Sequence, residues 1–195
     1  RRVNRASADQ RRGRAGREAP GLCYRLWADE QRLAAHREPE ILQADLSGLV
    51  FELLRWGVQN PATLAWVTPP PAPALASARQ LLSALGLLET DGSLGALGRQ
   101  CGRWPAHPRL AVLMNSARSL HAEALACWLI AWLEESIGAP ELDLAVVFSA
   151  LSGGDRAVAD ERWKRAARQW AARAGCSLQS ANADALVPLL ARAFP

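Results

Sequence analysis

Apolar residues recur at helical spacing through the second half of the chain, and this periodicity is the strongest constraint on the fold. Leu110, Leu113, Met114 and Ala117 lie on one face of a helix that Pro108 is suited to start. The same spacing predicts four further helices, over residues 121–135, 140–151, 158–174 and 183–194. Half of the 195 residues are apolar, which is enough for a core without disulfides. We therefore expect a mainly α fold.

A different pattern precedes these helices. Apolar residues on one broad face predict a helix over 41–56, and a second helix is predicted over 74–85. Two short apolar runs then flank Asp91-Gly92, a pair that is typical of hairpin turns. Two helices followed by a hairpin are the outline of a small winged-helix module.

Positive charge is concentrated at the start of the chain. Residues 1–37 hold ten arginines and four acids, whereas the whole chain has a net charge of only +4. No apolar run approaches ~20 residues, so we expect no membrane span. The four cysteines lie far apart, without zinc-ligand spacing, and we interpret them as reduced cytoplasmic thiols. They are Cys23, Cys101, Cys127 and Cys176.

The segment RASADQRRGRAGR at 5–17 has an internal order that a helix would reveal. If it is helical, Arg14 and Arg17 lie about 40° and 340° around the axis from Gln10, so the three side chains share a face. Two guanidiniums beside two small glycines suit the neutralisation of charge on a transferred phosphoryl group. A disordered basic arm, or a nuclear-localisation-like run, explains the same residues equally well.

The string SADQRRGRAGR resembles motif VI of superfamily-two helicases of the DEAH/RHA type, whose pattern is Q-R-x-G-R-x-G-R. The resemblance continues through PGLCYRLW, through REPEILQADLSGLVFELLRWGV, and through LLSALGLLETDGSLGALGRQCGRWPAHPRLAVLM. The stretches WVTPPPAPAL and PAHPRLAVLM are most similar to the bacterial HrpB subfamily. The resemblance covers nearly the whole chain and weakens after about residue 140.

The resemblance implies roles for particular residues. Gln10, Arg14 and Arg17 match positions that face the γ-phosphate of ATP, and the two arginines match catalytic arginine fingers. The matching positions that support the motif are Arg11, Gly13 and Gly16. ATP and Mg²⁺ are the implied cofactors of the parent enzyme.

Two motifs of that family are missing from this chain. It contains neither the G-x-x-x-x-G-K-[ST] loop that cradles phosphates nor the D-E-x-H acids that bind Mg²⁺. Because the chain also opens within the motif region at Arg1, we expect the C-terminal part of a longer helicase, cut within its second RecA-like domain. Alone it should be inactive and bind no cofactor. The alternative is a stand-alone winged-helix module that binds nucleic acid or protein.

The resemblance also implies a domain order. We predict a remnant of an α/β RecA-like domain at 1–27, which includes a short strand at 22–27, and a connector at 28–40. A winged-helix domain at 41–104 and a ratchet-like helical bundle at 105–195 follow. The implied partners are single-stranded RNA or DNA and the rest of the helicase core. We expect a cytoplasmic monomer.

The helix predicted at 158–174 carries a basic stripe. Arg162, Arg165, Gln169 and Arg173 lie within about 80° of one another. The stripe is either an ordinary solvated face or a track for backbone phosphates, and both interpretations stay open. Two tryptophans seven residues apart, Trp163 and Trp170, predict a buried face on the same helix.

Overall fold

The computed structural model describes residues 3–28, 31–135, 148, 161–179 and 182–195. Within these residues eight α-helices form, and no extended strand does. The helices are α1 (Arg5–Ala15), α2 (Ser47–Arg55), α3 (Ala72–Ala84), α4 (Ala96–Cys101), α5 (Pro108–Ser119), α6 (Glu123–Glu135), α7 (Glu161–Ala174) and α8 (Leu186–Ala193). Short 3₁₀ turns lie at Glu40–Leu42, Pro61–Thr63 and Ala183–Ala185. The prediction of a mainly α fold is confirmed. Apart from Phe148, the helix predicted at 140–151 lies outside the described residues.

The chain divides into two compact units. The first comprises Arg1–Ala44 and Trp66–Pro70, and the second comprises Asp45–Ala65 and Pro71–Pro195. Residues of the predicted winged helix and of the predicted bundle thus share the second unit. The domain boundaries drawn from the sequence stay a prediction.

In the second unit, α6 is the central helix. All eight residues from Ala124 to Ala131 are buried, because α6 packs against α5 on one side and α7 on another. The α7 helix is amphipathic and buries Trp163, Ala166, Ala167, Trp170 and Ala171, which follow the spacing of one helix face. The predicted burial of Trp163 and Trp170 is confirmed, at 3% and 2% exposure.

Aromatic contacts lock α6 and α7 together. The indole Nε1 of Trp163 donates to the backbone carbonyl of Trp128 at 2.8 Å. The two rings meet edge to face with centroids 5.6 Å apart, and Phe148 meets Trp163 in the same way at 5.9 Å. Such edge-to-face pairs add about 0.5–1.5 kcal/mol beyond the burial of their surface.

The predicted hairpin is a tight turn with very short arms. Gly92 has a positive φ of 80°, and the Glu89 amide donates to the Ser93 carbonyl at 2.8 Å. The arms pair only at an isolated bridge between Leu88 and Leu94. The short helix α4 follows this turn directly and was not predicted, because six residues with only one full turn give little periodicity.

Two predictions from the sequence are wrong. Residues 22–27 form no strand, because a strand needs a neighbour and the described residues offer none. The helix predicted to start at 41 starts instead at Ser47, whose amide donates to the Asp45 carboxylate at 2.7 Å. This side-chain bond favours a turn before the helix.

Gly98 in α4 allows the closest approach in this region. A Cβ placed there would lie 2.5 Å from the Leu87 carbonyl oxygen and 2.7 Å from a Leu94 methyl group. A carbonyl oxygen in the backbone cannot move aside as a flexible side chain would. We predict that Gly98→Ala lowers the free energy of unfolding by about 1–3 kcal/mol, measured by denaturant titration.

The matched control is Gly48→Ala in α2, where a new Cβ meets nothing within 4 Å. This substitution should raise the free energy of unfolding by about 0.5–1 kcal/mol, because alanine favours a helix over glycine. Equal stability of the Gly98→Ala variant and the wild type would contradict the packing described for α4.

Candidate functional site

The α1 helix of the first unit is formed by local capping and by a neighbouring segment. The Asn4 side chain accepts a hydrogen bond from the Ser7 amide at 2.7 Å, which satisfies one free donor at the helix start. The amides of Arg5 and Ala6 donate to the carbonyls of Ala34 and Ala35, at 2.8 and 3.1 Å. The helical geometry expected for this segment is therefore present.

The motif residues lie near the C-terminal end of α1. Gln10 and Arg14 are one turn apart on the same face, and both are exposed. Arg17 lies beyond the helix, which ends at Ala15, so the placement of Arg17 on that helical face is not realised. Sequence periodicity alone could not reveal where the helix ends.

The two glycines of the motif have no packing reason to be glycine within the described chain. A Cβ on Gly13 would meet nothing within 4 Å, and one on Gly16 would meet only the Ala19 carbonyl at 3.9 Å. Gly21 differs, because a Cβ there would lie 1.9 Å from the Ala15 carbonyl. Gly21 thus permits the chain to cross the end of α1, a role that the sequence did not indicate.

Charge on α1 is mostly uncompensated. The single described ion pair of this helix joins Asp9 to Arg25 at 2.5 Å, and the hydrogen bond from Arg25 lowers the pKa of Asp9. Arg11, Arg14 and Arg17 are exposed and form no ion pair with any described carboxylate. Their guanidiniums are free to bind an anion.

In the second unit, the predicted stripe on α7 is partly neutralised. Arg162 is bonded through Nε to the Glu135 carboxylate of α6. Glu161 accepts from Lys164 at 3.0 Å and lies 3.7 Å from Arg168, and the hydrogen bond from Lys164 lowers the pKa of Glu161. Arg165 is exposed and has no ion pair within the described residues.

Arg173 belongs to a different group of side chains. Its guanidinium lies over the ring of Trp170, 5.2 Å from the centroid. Trp170 in turn packs against Trp104 with centroids 6.3 Å apart. Arg118 and Arg103 lie over Trp104, at 5.4 and 5.9 Å. We call these five residues the arginine–tryptophan cluster.

Three separate elements supply this cluster: the segment before α5, the end of α5, and α7. Its rings are buried, at 4% exposure for Trp104 and 2% for Trp170, whereas its three arginines are exposed. An exposed guanidinium over an aromatic ring contributes about 0.5–1 kcal/mol. The sequence gives no sign of the cluster, because its members are brought together only by the packing of α5, α6 and α7.

The His107 side chain joins α2 to α5. Its Nδ1 accepts from the Arg109 amide at 3.3 Å, so the neutral ring carries its proton on Nε2. Nε2 lies 2.8 Å from the Ser47 hydroxyl and 3.3 Å from the Asp45 carboxylate. Because serine and aspartate meet the same ring nitrogen and Ser47 is fully buried, this is not a nucleophilic triad. His107 therefore has a structural role, since it caps the start of α5 and contacts the start of α2.

The shifted pKa values of Asp45, Cys101 and Cys127 also follow from burial and local hydrogen bonds. Burial would raise the pKa of Asp45, but the hydrogen bonds from Ser47 and the nearby His107 hold that pKa below its ordinary value. Burial raises the pKa of the Cys101 thiol to about 11, which makes it a poor nucleophile at neutral pH. Cys127 has a raised pKa for the same reason and lies 3.7 Å from the Cys176 sulfur.

Neither a metal centre nor a membrane helix is found in the described part of the chain. No three His, Cys, Asp or Glu side chains there are grouped so as to hold a metal ion. None of the helices described is both long and apolar enough to cross a bilayer.

Several known proteins are similar in sequence to this chain. No protein-family model matches the chain. The ATP-dependent RNA helicase HrpB of Escherichia coli (strain K12) is 40% identical in an alignment of 195 positions that covers 99% of this chain and 23% of HrpB. A putative ATP-dependent RNA helicase of Schizosaccharomyces pombe is 35% identical in an alignment of 115 positions that covers 57% of this chain and 10% of that protein.

Two solved structures of HrpB are similar to this chain in fold. A crystal structure of the E. coli DEAH/RHA helicase HrpB matches with a TM-score of 0.79 and 40% identity, over 100% of this chain and 24% of that one. A second, described as a DExH-box NTPase HrpB, matches with a TM-score of 0.71 and 39% identity, over 100% of this chain and 23% of that one. The chain thus spans about a quarter of the length of HrpB. The resemblance to DEAH/RHA-type helicases is confirmed, and this chain is homologous to a C-terminal portion of such a helicase.

Proposed function

We propose that this chain acts as part of an ATP-dependent RNA helicase, in which α1 carries the arginine finger and the second unit contacts the RNA strand. The observation that carries the proposal is the state of the motif residues. Arg14 on α1 and Arg17 just beyond it are exposed and lack any described carboxylate partner. The homology to HrpB over 99% of the chain supports the same function.

The chemistry of these side chains suits phosphoryl transfer. Negative charge spreads over the oxygens of the transferred group in the transition state, and guanidiniums that reach those oxygens lower the barrier. Gln10 lies on the same face of α1 as Arg14 and has both a donor and an acceptor to offer a phosphate or an attacking water. Arg11, Gly13 and Gly16 complete the motif around them.

The nucleotide itself needs more than α1. Bound ATP and Mg²⁺ require a phosphate-cradling loop and acidic ligands, and the 195 residues contain neither motif. In the proposed enzyme, another domain holds ATP and Mg²⁺, and Arg14 and Arg17 reach the γ-phosphate from across the cleft.

The segment after α1 supports the proposal that another part of a helicase packs beside it. Leu22, Tyr24 and Leu26 alternate along the chain and are 82%, 82% and 94% exposed. Alternating apolar side chains are typical of a strand with one buried face, and such a strand needs partners in a sheet. We propose that the rest of the helicase core covers this segment.

The second unit supplies the proposed contact with the strand. Arg165 and Arg173 on α7 have no carboxylate partner in the described residues, so they are available to backbone phosphates, whereas Arg162 already binds Glu135. RNA is the proposed substrate because the relatives are named RNA helicases. The four cysteines are free thiols, which favours a cytoplasmic protein.

The proposal predicts that the 195-residue chain alone does not hydrolyse ATP, with or without RNA. Positioning and metal ligands provide most of the catalysis of phosphoryl transfer, and this chain lacks the motifs for both. Phosphate release by the purified chain, measured against a buffer blank, is the check. RNA-stimulated turnover by the isolated chain would contradict the proposed division of labour.

A second prediction concerns the fingers in a full-length helicase that contains this segment. Arg14→Ala or Arg17→Ala should lower ATP turnover on the order of 10³-fold, as removal of an arginine finger does elsewhere. RNA affinity should change much less, because neither residue lies in the second unit. Turnover and RNA affinity are measured on the same preparations.

The matched control is Arg12→Ala, which removes an exposed arginine of the same helix from a variable position of the motif. This variant should keep turnover close to that of the wild type. If Arg12→Ala and Arg14→Ala lower turnover equally, the loss reflects the charge of α1 as a whole, and the arginine-finger assignment is wrong.

A further inference from the structure

We infer that the arginine–tryptophan cluster, rather than Arg162 and Arg165 of the α7 stripe, binds the phosphate backbone of single-stranded RNA. This inference rests on the proposed function and assigns the RNA contact to particular residues. The cluster consists of Arg103, Trp104, Arg118, Trp170 and Arg173.

Most of the other cations that the structure describes in the second unit already bind an acceptor within the protein. The carboxylate partners are Glu52 for Arg55, Glu135 for Arg162, and Glu161 for Lys164 and Arg168. Backbone carbonyls accept from Arg79, Arg99 and Arg109.

The cluster arginines are different. The guanidiniums of Arg118 and Arg173 form neither an ion pair nor a hydrogen bond with any described residue, and that of Arg103 uses only Nε, which donates to the Gln100 carbonyl at 3.0 Å. All three are exposed. One carboxylate touches the cluster, that of Glu134, but it accepts from the Trp170 indole at 2.8 Å and forms no ion pair with Arg173.

Three like charges are therefore gathered around one buried pair of rings, and the Glu134 carboxylate beside Trp170 forms no described ion pair with any of them. Their mutual repulsion favours an anion as a ligand. A guanidinium stacked on a ring is already oriented, so less conformational entropy is lost when its free N–H groups bind a phosphate. The rings hold the guanidiniums in fixed places, and the three arginine side chains remain exposed to solvent.

The arrangement suits a chain of phosphates better than a single phosphate. The three guanidiniums lie over two different rings whose centroids are 6.3 Å apart, so we infer a series of charges rather than one clamp. The indole N–H of Trp104 is buried without an acceptor in the described part of the chain, so it is ring and guanidinium contacts that hold Trp104. Binding of a backbone along the series neutralises each cation in turn.

The part of the α7 stripe that contains Arg162 and Arg165 is less suited to binding a chain of phosphates. Arg162 of the stripe and the neighbouring Lys164 each have a carboxylate partner, which a phosphate would have to displace. Of the three arginines in the predicted stripe, Arg165 and Arg173 are without such a partner among the described residues. Arg173 is a member of the cluster as well.

The test compares two double variants of the 195-residue chain, Arg103→Gln with Arg118→Gln, and Arg162→Gln with Arg165→Gln. Each removes two positive charges and keeps part of the aliphatic stem. The affinity for a fluorescent single-stranded RNA is titrated over a range of salt concentrations. Each lost phosphate contact lowers the slope of log affinity against log salt by about 0.7 for single strands.

We expect the cluster variant to reduce the magnitude of the salt slope by about 1.4, and the stripe variant, in which only Arg165 is without a carboxylate partner, to reduce it by at most about 0.7. A DNA of the same sequence should show the same difference, because phosphate contacts do not distinguish the sugars. A larger effect of the stripe variant, equal effects of the two variants, or a loss confined to RNA would overturn the inference.

Two controls separate the possible failures. Circular dichroism and thermal unfolding check the fold, and if the cluster double variant unfolds, Arg118→Gln alone is measured, with an expected decrease in slope of about 0.7. Salt-dependent RNA binding that the cluster variant leaves unchanged would overturn this inference and leave the proposed helicase function standing. That function is tested independently by the turnover of the Arg14 and Arg17 variants.

Discussion

The second unit depends on the contact between α6 and α7, which the Trp163 indole fixes by its hydrogen bond to the Trp128 carbonyl. This bond sets the register of α7 along α6, since it joins one side chain to one backbone position at 2.8 Å. Seven residues further along α7, Trp170 then comes to lie against Trp104. The position of α7 thus determines which surface the segment before α5 presents to solvent.

The same contact divides the arginines of the second unit into two groups. At the start of α7, Arg162 reaches the acidic end of α6 and binds Glu135. In the last turn of α7, Arg173 lies over Trp170 and joins Arg103 and Arg118 around the buried rings. Free positive charge is therefore located by packing, and the net charge of the chain does not reveal it. An excess of acids after residue 37 is compatible with a local cationic surface.

Periodicity predicted the helices that bury a continuous face. The expected helix over 121–135 agrees with α6 at Glu123–Glu135, and the one over 158–174 agrees with α7 at Glu161–Ala174 within a few residues. It failed where one side chain or an absent neighbour decides the outcome. The Asp45 carboxylate, which accepts from the Ser47 amide, moves the start of α2, and the apolar alternation at 22–27 forms no strand without a partner.

The sequence predicted only part of the candidate site, because it shows which residues are close along the chain and does not show which are brought together by packing. The motif on α1 is local, so its residues could be named from the sequence, although the end of the helix at Ala15 separates Arg17 from Gln10 and Arg14. The stripe on α7 was also local, but its partner Glu135 is 27 residues away and lies on another helix. Arg103 and Arg118 come from two other elements, and only tertiary packing brings them to Arg173.

The central claim is that Arg14 near the end of α1 and Arg17 just beyond it act as arginine fingers towards a nucleotide held by another domain. The most direct measurement is a structure of the longer helicase with single-stranded RNA and a transition-state mimic of ATP hydrolysis. The account predicts that guanidinium nitrogens of Arg14 and Arg17 lie about 3 Å from oxygens or fluorines of the γ-phosphate mimic. A complex in which the mimic is bound while both guanidiniums remain in solvent would contradict it.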